Sequence, residues 1–205
     1  MSKTSSGLIY FILIAALLVT ILFASAFYVE SSRVNSDLKA ENQLYKTILK
    51  METEFSGLSI DSQKADGYYN EASLSYENKD YNSVESNCRL ARDYYSSESQ
   101  GYRNMKSELA SYNISNKLIE IYQQELDEWI IISNSMYESC EHFESAARYY
   151  DTYFNTGVLY DDQSYTMGTG EIDMMNEKIN AHDIAVGKLN QLIEDFKVEL
   201  ENRIK

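Results

Sequence analysis

Hydrophobic and polar positions alternate along this chain with helical periods almost from end to end. Residues 8–29 are 22 consecutive positions without a charged side chain. At about 1.5 Å per residue such a helix covers roughly 33 Å, enough for a hydrocarbon core of about 30 Å. Tyr10 and Tyr28 lie near its ends, where a ring with one polar atom suits the headgroup boundary. Beyond it, Val34, Leu38, Tyr45, Ile48 and Phe55 recur at heptad-compatible spacing, with Glu41 and Glu52 on the seam. That predicts an amphipathic stalk over 30–56, ended by Ser56-Gly57, Ser59 and Ser62.

Two short helices are predicted next. Ala65, Tyr69, Ala72 and Tyr76 mark one face, and Tyr81, Val84, Cys88, Ala91 and Tyr95 mark the other. The polar turn Asn78-Lys79-Asp80 between them is short enough to force them antiparallel. Gly101 interrupts, and Tyr102, Met105, Leu109 and Tyr112 form a further short stripe. Leu118, Tyr122, Leu126, Trp129, Ile132, Met136, Cys140, Phe143, Ala147, Tyr150 and Phe154 then predict one helix over 116–154, with Ser133-Asn134-Ser135 as the expected kink. Residues 156–170 show no periodicity and read as an irregular loop. The last helix has the sharpest pattern, with Ile172, Ile179, Val186, Ile193 and Leu200 at one heptad position and Met175, His182, Leu189, Phe196 and Arg203 at the other. It either folds back along the 116–154 helix or pairs with its copy in a second chain, and connection through one loop makes the intrachain hairpin the default.

Lys79-Asp80-Tyr81, with Ala72 before it and Val84, Cys88 and Ala91 after, resembles the Gly-Asp-Tyr turn and small-residue positions of a tetratricopeptide repeat. The resemblance covers one hairpin, about residues 65–95. Lys79 stands where glycine is usual, Val84 where alanine is usual, and there is no closing proline. The resemblance implies a peptide-binding groove. Such repeats stack in threes or more, and no second copy is visible here.

Composition sharpens the fold class. There is no proline in 205 residues, where average usage gives about ten. Uninterrupted helices explain that absence, and strand signals are missing. The expected fold is all-α: residues 1–7 a short tail, 8–29 a transmembrane anchor, 30–56 a stalk, and 62–205 an elongated antiparallel helical bundle. The alternative for the N-terminal run is a cleaved secretory signal, since Lys3 precedes it and Ala24-Ser25-Ala26 has the small-x-small form. The run is longer than a usual signal core and continues through Phe27, Tyr28 and Val29, which favours an uncleaved anchor. A pilin-like leader cut near Gly7 fits less well, because no acidic residue follows. Lys3 before the span and Arg33, Lys39 and Lys46 after it leave orientation undecided by charge. The export-like opening favours a cytoplasmic N-terminus and an exported C-terminal domain.

With 32 acidic against 18 basic residues the formal charge is -14, which repels nucleic-acid phosphates and anionic headgroups. Asp161-Asp162-Gln163-Ser164 lacks the ligand spacing of an EF-hand. Asn113-Ile114-Ser115 is a lone glycosylation triplet. Cys88 and Cys140 are the only cysteines, both on apolar stripes, so they are either buried thiols or a disulfide formed in an oxidising compartment. Cys140-Glu141-His142 supplies metal-ligand types without a standard spacing. His182 on the heptad seam is a candidate pH-sensitive joint. No phosphate loop, nucleophile elbow or His-Glu-x-x-His helix is present, so no catalytic, cofactor or metal site is expected and enzyme activity is not.

These patterns point to a membrane-anchored interaction or scaffold protein that binds protein partners or a second copy of itself. Tyr81, Val84, Tyr95 and Trp129, together with Asp161 and Asp162 in the loop, are the candidate partner-binding residues. The alternatives are an extracytoplasmic ligand-binding bundle that signals through a separate partner and, on the strength of span plus stalk alone, a tethered piece of division or envelope machinery.

Overall fold

A computed structural model describes residues 4–112, 117–155 and 162–204, with the backbone alone described at 4–30 and at scattered positions beyond. Among the described residues there is no strand. The described residues form four helices, α1 (Thr4–Glu77), α2 (Tyr81–Ala110), α3 (Lys117–Asn155) and α4 (Asp162–Ile204), as the proline-free sequence leads one to expect. The chain divides into two units, Met1–Lys50 and Met51–Lys205. In the first, Val34 and Leu38 are about half exposed, at 49% and 52%. Among the described residues no helix is long and apolar enough to cross a membrane. The span read at 8–29 lies outside the residues whose side chains are described. So do Asn113-Ile114-Ser115, Asp161, and the Leu200 and Arg203 ends of the last heptads.

The second unit is a helical bundle in which each helix reverses on the one before. The first reversal, 78–80, is fixed by its own hydrogen bonds. Lys79 takes a left-handed φ of 59°, the helix-ending conformation that glycine adopts at least cost, and its N–H donates to the Tyr76 carbonyl at 3.0 Å. Asp80 caps α2, its Oδ1 accepting from the Ser83 N–H at 3.2 Å and its Oδ2 from the Ser83 hydroxyl at 2.6 Å. These bonds hold the Asp80 carboxyl below its usual range. The antiparallel hairpin predicted from the Lys79-Asp80-Tyr81 turn is therefore present. Its two helices run far beyond the length of a tetratricopeptide unit.

Three predicted interruptions are absent and a fourth is shortened. α1 continues through Ser56-Gly57, Ser59 and Ser62, and Phe55 belongs to the bundle, its ring 5.4 Å from those of Tyr102 and Trp129. α2 continues through Gly101 because the missing side chain makes room for α1: a Cβ there would stand 2.6 Å from Leu58 Cδ2. α3 does not kink at Ser133-Asn134-Ser135. The Ser133 hydroxyl donates to the Trp129 carbonyl at 3.0 Å, and Asn134 Oδ1 accepts from the Ser99 hydroxyl at 2.8 Å, so these polar groups are satisfied without unwinding the helix. Lastly, α4 starts at Asp162, so much of the expected 156–170 loop is helical. Gly168 lies against the Tyr150 ring, 3.1 Å from Cε1 to where a Cβ would stand, and small residues placed for close approach had resembled a loop.

α3 packs against both neighbours. Toward α2, Glu144 is 5% exposed and sits between two guanidiniums: Arg92 Nη1 donates to it at 2.8 Å and Arg148 donates from one turn away. Arg148 also reaches Glu85 on α2 at 3.1 Å, which holds the Glu85 carboxyl low. A buried carboxylate is tolerated only with such partners. Toward α4, polar contacts run in reverse order along the two helices, with ion pairs from Lys117 to Glu199 at 3.1 Å and Glu138 to Lys178 at 2.6 Å, and a hydrogen bond between His142 Nδ1 and Glu171 at 2.7 Å. The intrachain α3–α4 hairpin is thus formed. The heptad residues face it as expected: Ile172 and Met175 pack on the larger core, while Val186 and Ile193 pack beside Ile132, Ala185 and Leu189.

The contact between Gly101 and Leu58 gives a direct test. Gly101→Val inserts atoms where Leu58 already lies and should lower stability by about 1–3 kcal/mol in urea denaturation. Adding Leu58→Ala should restore part of that loss, so that the two changes are less than additive.

Candidate functional site

Most residues singled out as partner-binding turn out to build the core. Val84 is fully buried and Tyr95 is 2% exposed, so neither can meet a partner, and the groove implied by the repeat-like hairpin is filled by this chain's own α3. Tyr95 donates its hydroxyl to Asp66 Oδ1 at 2.7 Å, and burial pushes its pKa up. Trp129 is partly buried, stacked 5.6 Å from Tyr102. These positions share the stripe signature of a surface groove, and the extra helices beyond the hairpin cover them. Asp162 opens α4, with its side chain outside the description.

Cys88 and Cys140 are free and fully buried within one core cluster. The disulfide weighed from sequence is not formed. A hydrogen bond with Cys140, and then burial, push the Cys88 thiol pKa up. A thiol kept from ionising packs as a small apolar group and is a poor nucleophile. Among the described residues no three His, Cys, Asp or Glu gather as a metal site, and His142 is engaged with Glu171 on α4. His182 is paired with the adjacent Asp183 at 3.0 Å and is 28% exposed at its side chain.

Of the proposed binding residues whose side chains are described, Tyr81 lines a concave feature. Where the 78–80 turn meets the end of α3 and the start of α4, Tyr76, Lys79, Tyr81, Tyr150, Phe154 and Tyr165 line a cavity of about 330 Å³. The rings brace one another. Tyr81 lies nearly parallel to Phe154, with centroids 6.1 Å apart and planes at 8°. Tyr150 meets Tyr165 edge-on at 5.7 Å, and the Tyr150 hydroxyl shares a hydrogen bond with Thr169 at 3.2 Å. Lys79 Nζ stands 5.3 Å from the Phe154 ring centroid, a distance at which a cation is attracted to the ring face. Burial raises the Tyr76 and Tyr81 pKa values, so both remain neutral hydroxyls able to donate. Phe154 and Tyr165 remain 47% and 49% exposed. Chemically the place offers stacking faces, phenol donors, the Lys79 cation and the Glu77 carboxylate. It holds no base–nucleophile pair.

The sequence reading passed over Glu98. It falls on the apolar stripe of α2, between Tyr95 and Tyr102, and is 1% exposed. A charged residue on an otherwise apolar helical face is the signal that would have marked it.

No family model matches the chain, and no curated protein or solved structure does so either.

The division between bracing rings and presented rings can be measured. Tyr150→Ala should cost about 3–5 kcal/mol in urea denaturation, as for a buried aromatic. Phe154→Ala with Tyr165→Ala should cost distinctly less while leaving the far-ultraviolet helical signal unchanged.

Proposed function

We propose that this protein is a membrane-anchored helical scaffold: residues 8–29 hold it in the bilayer, and the 51–205 bundle, exported across the membrane, engages protein partners. The uncharged run of 22 residues carries the reading, because its length and composition suit a bilayer core. The bundle supports a binding role over a chemical one. Several of its buried polar groups, Glu144 and Ser99 among them, tie helices together, while Phe154 and Tyr165 are large rings left half exposed at one end, the residue type that anchors interfaces. Tethering raises local concentration, so modest contacts suffice. The strong negative charge favours a partner with a basic surface. The exposed Val34 and Leu38 of the 1–50 unit support pairing with a second copy along the predicted stalk.

Alkaline carbonate treatment of membranes from cells making the full chain tests the anchor. Full-length protein should stay in the pellet and, in intact cells, its bundle should be open to added protease. Release of full-length protein into the supernatant sinks the anchor, and protection of the bundle sinks the export.

The aromatic cavity favours one second reading, a bundle that binds a small ligand. Stabilisation of the monomer by a small molecule in a thermal-shift screen, lost in Phe154→Ala, would support it over the scaffold.

A further inference from the structure

Glu98 lies where α1, α2 and α3 meet, 1% exposed and, among the described residues, in no ion pair with a lysine or arginine, a costly setting for a carboxylate. The Tyr102 hydroxyl donates to its Oε1 at 3.0 Å. Ser62 from α1 and Ser133 from α3 act in the same sense as Tyr102, favouring the ionised form, so it is burial that opposes the charge. The titratable groups facing this layer are Asp66 on α1, which accepts from Tyr95, and Tyr95 and Tyr102 on α2; α3 presents Ser133. The one charge among them is Asp66, of the same sign as an ionised Glu98.

We infer that Glu98 is a proton-operated latch: the junction of α1, α2 and α3 is held shut while its carboxyl keeps its proton and loosens when the proton leaves. Burial lifts the Glu98 pKa from the usual 4.5 to about 7 against the Tyr102, Ser133 and Ser62 hydrogen bonds that pull it down, and the Asp66 charge adds a smaller rise. The folded value lies above the unfolded one. Below about pH 4.5 both states hold the proton, and the latch contributes in full. Between there and pH 7 the unfolded chain ionises while the folded one does not, so stability falls as pH rises, levelling off above 7. The folded-to-unfolded ratio should drop on the order of 100-fold across that window from this group alone. The inference holds whether or not residues 8–29 sit in a membrane.

The experiment compares the full chain in detergent with its Glu98→Gln variant by urea denaturation at pH 5 and pH 8. The carboxamide keeps the hydrogen-bonding shape and cannot ionise. Wild type should lose on the order of 100-fold more in folding equilibrium than the variant between the two pH values. Equal losses overturn the latch. Should the variant not fold, infrared titration of the wild-type carboxyl band decides: a protonated carboxyl persisting to near pH 7 supports the latch, and complete ionisation by pH 5 overturns it. Asp66→Asn supplies a further readout, since removing the neighbouring charge should move the Glu98 midpoint down, and an unmoved midpoint counts against the inference.

Discussion

The bundle depends on one helix serving two partners. α3 gives α2 one side and α4 another, and it also meets the end of α1 through Phe143 and Trp129. A helix surrounded in this way cannot separate a wet face from a dry one as a surface helix does. Its polar residues must find partners inside the protein, and several do. Glu144 is held by two arginines, Ser133 returns its proton to its own helix, and Asn134 receives one from α2. Each of these pairings fixes a rotation or an axial position that hydrophobic contact alone leaves free. Removing a single member would strand a buried polar group, which is costlier than never having had one.

The legibility of the fold follows from the same constraint. Helix type, the tight turn at 78–80 and the α3–α4 hairpin could be read because they are local or nearly so: a missing residue type, a capping aspartate, a heptad on each of two helices joined by one connection. The breaks assigned to Gly57, Gly101, Ser133 and the stretch before Ile172 could not be read correctly, because glycine and serine have two meanings. They open turns, and they also let one helix come close to another or hide a hydroxyl inside one. Gly101 against Leu58 and Gly168 against Tyr150 have the second meaning, and only the neighbour reveals it.

The candidate site shows the same divide. Apolar stripes look alike whether a partner or the chain's own next helix covers them, so Val84 and Tyr95 were placed on a surface and belong to the interior. The aromatic end gathers Tyr76, Tyr81, Tyr150, Phe154 and Tyr165 from four helices, a long-range coincidence that no local spacing encodes. Glu98 was legible in principle, as one charged position in a row of apolar ones.

The seat of Leu58 over Gly101 also has a mechanical meaning. Together with the 78–80 turn it gives the α1–α2 pair two fixed points, one at the bend and one some six helical turns away along α2. A peg at one end and a hinge at the other prevent the two rods from sliding past each other. Any insertion or deletion of one residue between them would swing the peg around the rod by about 100° and leave its seat empty. The spacing between positions 58 and 101 is therefore a ruler as well as a sequence, and it should tolerate changes of side chain far more readily than changes of length.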